Sequence, residues 1–90
     1  MKFRKKPEVV EAFQWFSSTS QSEMPGWALA KMVRLEGPPR YVIPTLEGAM
    51  AVSHGAWVIQ GVLGEVYPCK PDVFAATYES VYEGPGWRHT

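Results

Sequence analysis

From residue 40 to residue 67 the chain offers four short runs suited to β-strands, parted by glycine-bearing turns. Residues 40–45 and 49–53 are joined through Leu46-Glu47-Gly48, and residues 57–60 and 65–67 across Gly61-Val62-Leu63-Gly64. Short β-branched and aromatic runs separated by tight turns favour antiparallel hairpins. The pattern reads as a meander.

Two further segments complete it. Residues 8–16, EVVEAFQWF, alternate Val9, Glu11, Phe13 and Trp15 with Val10, Ala12, Gln14 and Phe16, which predicts a strand with two mixed faces. Pro7 demotes any extension through residues 3–6 to an edge position. After the polar stretch 17–22, a helix is expected over about residues 23–34. Ser22 caps it, Glu23 and Pro25 suit its first turn, and Trp27, Leu29, Ala30 and Val33 fall near helical spacing. Gly37-Pro38-Pro39 ends it. Lys70-Pro71-Asp72 starts a short helical turn over about residues 70–77, and residues 78–82 read as a last strand.

The expected fold class is therefore α+β. A curled antiparallel sheet of five to six short strands, or a partly open small barrel, packs against one main helix. Residues 1–83 form one domain, and Gly84-Pro85-Gly86 detaches a flexible tail over residues 84–90.

Ninety residues support only a thin core, which oligomerisation reinforces. Four Trp, four Tyr and four Phe are more than such a core hides, so some are expected at a cleft or a subunit interface. With one cysteine, Cys69, the chain makes no internal disulfide and no thiolate zinc site. No apolar run reaches the length of a membrane span, and the basic start lacks the apolar stretch of a signal peptide, so the cytoplasm is the expected location. Net charge is zero but unevenly placed. Lys2, Arg4, Lys5 and Lys6 precede every acid, and the other five basic residues share the chain with all nine acidic ones. That balance disfavours a uniformly basic nucleic-acid binder and leaves a local cationic patch.

The inventory for chemistry is short. The only histidines are His54, in a Ser53-His54-Gly55 turn, and His89, in the tail. Neither has the nucleophile and orienting group of a hydrolase, no ligand cluster suggests a metal, and no glycine-rich loop precedes a helix. No catalytic residue, metal or cofactor is assigned, and a non-enzymatic role is expected. Cys69, between Pro68 and Lys70, reads as a small buried anchor, with a lowered thiol pKa as the alternative. Lys70 at a helix start is a candidate anion site.

The opening FRKKPEVVEAFQW, the TLEG hairpin and the GEVYPCKPDVFAATYE block resemble a family of small phage and prophage proteins. The likeness covers most of residues 3–79. Where that family tends to carry a Pro-Gly-Asp turn, this chain has His54-Gly55-Ala56. The resemblance implies a phage origin and, among small phage accessory proteins, an anti-defence sponge: a homo-oligomer that seals a nucleotide immune signal in a pocket without cleaving it.

On that reading Arg4, Lys6, Arg40 and Lys70 hold phosphate. Trp15, Trp57 and Tyr67 stack on the base or close the pocket, and Thr45 and Glu47 bond ribose or base edges. The ligand is a cyclic nucleotide or an ADP-ribose derivative. The alternatives are a protein–protein inhibitor of a host defence or regulatory factor, and a nucleic-acid-binding accessory protein that uses residues 2–6 as an arm.

Overall fold

The computed structural model describes residues 1–4 and 7–81. The strands are β1 (Glu11–Gln14), β2 (Val33–Arg34), β3 (Tyr41–Thr45), β4 (Gly48–Val52), β5 (Trp57–Gln60) and β6 (Val66–Cys69); the helices are α1 (Gly26–Leu29) and α2 (Pro71–Thr77). The class is α+β, with six short antiparallel strands and no closed barrel among the described residues. The strands divide into two three-stranded sheets, ordered β1-β5-β6 and β2-β3-β4. β6 lies against β3 and β4, which joins the sheets.

The two predicted hairpins form where their turns allow. Thr45 pairs with Gly48 to close β3–β4, and the Gly61–Gly64 turn carries β5 into β6 in antiparallel register, Gln60 opposite Val66. β1 joins by a long-range pairing with β5, and the Trp15 N–H and C=O extend it through hydrogen bonds to Ala56 and Gly55.

The helix expected over residues 23–34 is much shorter. Gln21–Glu23 form a 3-10 turn in which the Glu23 carboxylate accepts the Ser20 N–H, so the capping serine is Ser20 and not Ser22. Pro25 then stands just ahead of α1, which spans one turn. Beyond it, Val33 and Arg34 leave the helical path and pair with Val42 and Tyr41. Gly37-Pro38-Pro39, read as a helix stop, is the loop of this hairpin, and the Leu35 N–H bonds the Arg40 carbonyl across it. The physical reason is non-local: ladder bonds to β3 outweigh the weak helical preference of a segment that contains Gly26 and β-branched Val33.

α2 is consequently the longer helix. Residues 78–81 form no strand; the Tyr78 N–H instead bonds the Phe74 carbonyl and closes α2. The boundary near residue 83 and the tail over residues 84–90 lie outside the described residues.

The core sits between the sheets. Trp15, Met24, Ala28, Met32, Tyr41, Ile43, Val52, Ala56, Val58 and Val66 form one buried cluster, with Phe13 and Trp27 packed against it. In the first sheet Phe13 and Val58 share a rung and face this core. The opposite face carries the Ala12–Ile59–Tyr67 and Gln14–Trp57–Cys69 rungs. There Phe74 of α2 stacks on Trp57, at 4.1 Å between ring centroids, and Tyr78 stacks on Phe74 at 4.9 Å.

Candidate functional site

The residues singled out in the sequence fall into separate clefts. A cleft of about 540 Å³ opens between the turn after β1, the proline-rich loop before β3, and the β4–β5 turn. Its lining includes Trp15, Ser17, Pro38, Pro39, Arg40, Ser53 and His54. Two of the expected ligand residues, Trp15 and Arg40, meet here. Arg40 is exposed, whereas Trp15 is only 3% exposed and packs edge-on against Tyr41. Trp15 is therefore a core wall, with no free ring face to stack on a base. Its indole Nε1 is buried without a hydrogen-bond partner among the described residues.

His54 gives this cleft an architecture that the sequence did not reveal. Its Nδ1 accepts the Ser17 backbone N–H at 3.1 Å and lies 3.1 Å from the Ser17 hydroxyl. The Phe16 ring meets the imidazole edge-on at 5.4 Å. The bonds join positions 37 residues apart, so nothing local in sequence signals them. With Nδ1 engaged as an acceptor, Nε2 carries the ring proton and is a potential donor. The cleft thus combines one guanidinium, one imidazole and two serines, and among the described residues no carboxylate lines it.

A second cleft, of about 610 Å³, gathers Thr45, Glu47 and Tyr67 between the β3–β4 tip and β6. Thr45 is occupied with its own turn: its hydroxyl donates to the Gly48 carbonyl at 2.7 Å and accepts the Glu47 N–H at 3.1 Å. Glu47 and Glu65 outnumber the one cation, Lys31. Two carboxylates facing one ammonium make this a poor place for phosphate. The Tyr67 hydroxyl lies 3.4 Å from that of Tyr78. Burial, then the Tyr78 hydrogen bond, push its pKa well above the ordinary 10.0, so the phenol stays neutral.

Trp57 lines a third cleft, a groove of about 500 Å³ beside β1 that Phe74 and Tyr78 also line. One face of its ring is already covered by Phe74. Phe74 was not among the residues singled out, although its spacing of four from Tyr78 is a legible helical signal.

The remaining expected phosphate ligands do not converge. Arg4 is exposed ahead of β1, and Lys6 lies outside the described residues. Lys70 is exposed at the start of α2, where its carbonyl accepts the Phe74 N–H, and it lines none of these clefts. Next to it, Cys69 is half-buried, and its sulfur lies 3.6 Å from the Lys70 carbonyl. Burial, and then the Asp72 carboxylate, raise the thiol pKa, which favours the anchoring role over a reactive thiolate.

No family model, no curated protein and no solved structure matches this chain. Among the described residues no group of three His, Cys, Asp or Glu side chains is placed to hold a metal ion, and no helix is long and apolar enough to cross a membrane. The cleft at Arg40 and His54 is the arrangement best suited to an anionic ligand, because donors of both charged and neutral kinds line apolar walls there.

Proposed function

We propose that this chain is a binding protein that captures a nucleotide-class small molecule in the cleft between Trp15, Arg40 and His54 and does not cleave it. The observation that carries this reading is the lining of that cleft: Arg40, His54, Ser17 and Ser53, with no acid among the described residues, against the apolar surfaces of Pro38, Pro39 and Val52. Arg40 supplies a charge-assisted bond to phosphate. The serines offer hydroxyls to phosphate or ribose, and the proline and valine surface receives the less polar part of the ligand. Thr45, Glu47 and Tyr67, in the second cleft, drop out of the ligand set.

The phage-like motifs supply the biological setting: capture in the host cytoplasm of a cyclic nucleotide or ADP-ribose derivative used as an immune signal, by a homo-oligomer. A protein–protein inhibitor is the second reading. It draws on Leu46, at a hairpin tip, and on Leu63, 89% exposed in the β5–β6 turn.

The test is thermal unfolding with a panel of cyclic dinucleotides, ADP-ribose and adenosine monophosphate. A ligand at 100 times its Kd stabilises the fold by about 2.7 kcal/mol. One member should raise the Tm of the native chain and not that of Arg40→Ala, and it should be recovered intact after heating. If no member moves the Tm, capture of a nucleotide is wrong, and co-purification of a host protein would favour the second reading.

A further inference from the structure

β1 is an outer strand of the first sheet, and its open edge meets no strand among the described residues. Trp15 turns its N–H and C=O toward Gly55 and Ala56. By alternation, the backbone groups of Ala12 point the other way, to the open edge. An unpaired edge of this kind is a template for an added strand.

The groove beside that edge has a definite chemistry. Trp57, Phe74 and Tyr78 give it aromatic surface, Glu8, Glu11 and Glu79 are exposed acids along it, and among the described residues no lysine or arginine lines it. It therefore suits an extended segment that offers backbone hydrogen bonds, a large apolar side chain and several cations. The first six residues of this chain have that composition: Met-Lys-Phe-Arg-Lys-Lys. Phe3 is 88% exposed, so the protomer does not cover this side chain itself.

We propose that the N-terminal arm of a second copy of the chain docks in this groove as a strand added to β1. The exchange is reciprocal, so the product is a two-fold dimer. Backbone bonds along the β1 edge supply affinity, Phe3 enters the aromatic groove, and Lys2 and Arg4 meet the acidic rim. The Arg40 cleft takes no part, so this inference stands or falls separately from ligand capture.

The full chain should sediment at twice its chain mass in about 0.1 M salt. It should dissociate at least tenfold more readily in about 1 M salt, where the screening length falls from about 10 Å to about 3 Å. The arm variant K2E/R4E and the rim variant E8K/E11K should each be monomeric, with circular dichroism unchanged. Mixed one to one, they should recover a heterodimer, because each reversed arm meets a reversed rim. A monomeric full chain overturns the proposal. So does a dimer indifferent to both variants, or a mixture that stays monomeric.

Discussion

Tyr67 and Cys69 lie on the face of the first sheet turned away from the main core, and both are acids whose neutral form the fold favours. Burial is the leading cause in each; the Tyr78 hydroxyl adds to it for Tyr67 and the Asp72 carboxylate for Cys69. Raised pKa values mean that the folded chain holds these protons more tightly than the unfolded chain does. As pH rises through the ordinary values, 9.0 for the thiol and 10.0 for the phenol, the unfolded chain ionises first and gains stability relative to the fold. Their contribution is complete below about pH 9 and is lost progressively above it. Urea midpoints recorded from pH 8 upward should decline, and Tyr67→Phe should flatten the part of the decline above pH 10. An identical alkaline slope in Tyr67→Phe would assign the loss to other groups.

At the scale of elements, the contrast lies between α2 and α1. Proline in the first turn and an acid after it are local signals, and α2 forms where they predict. The 23–34 segment carries similar signals, yet its last two residues, Val33 and Arg34, pair with β3, a competition that no local pattern records. α1 is left with Gly26 at its first position. A Cβ built there meets nothing within 4 Å, and its φ is not in the left-handed region. Gly26→Ala should therefore stabilise the protein by about 0.4–1 kcal/mol, chiefly by restricting the unfolded chain. Chemical denaturation would read this as a higher midpoint at unchanged slope. A lower midpoint would mean that the turn needs glycine for some other reason.

For the whole molecule, stability rests on the single cluster between two small sheets. Ile43, fully buried on β3, is among its central members. Ile43→Ala should cost about 2–5 kcal/mol, a large share of the 5–15 kcal/mol typical of small domains. Thermal unfolding should register it as a Tm lower by some 4–8 °C for each kcal/mol. A loss below 1 kcal/mol would show that the sheets close over the gap.

The sequence by itself determined the α+β class, the short strands, both glycine-turn hairpins and the start of α2, because each depends on residues within a few positions of one another. Thr45, Glu47, Tyr67, Trp15, Trp57 and Arg40 were read as one ligand set, which the structure divides among three clefts. Only the tertiary structure decided that the strands divide into two sheets, that Val33 and Arg34 are β and not α, and that Trp15 is buried. It also decided that His54 receives Ser17 from 37 residues away. The four-strand pattern that dominates the middle of the chain thus specifies pieces and turns. Which pieces pair, and which side chains then share a cleft, depends on long-range ladder bonds and core burial, energies that belong to contacts between distant segments and leave no local signature.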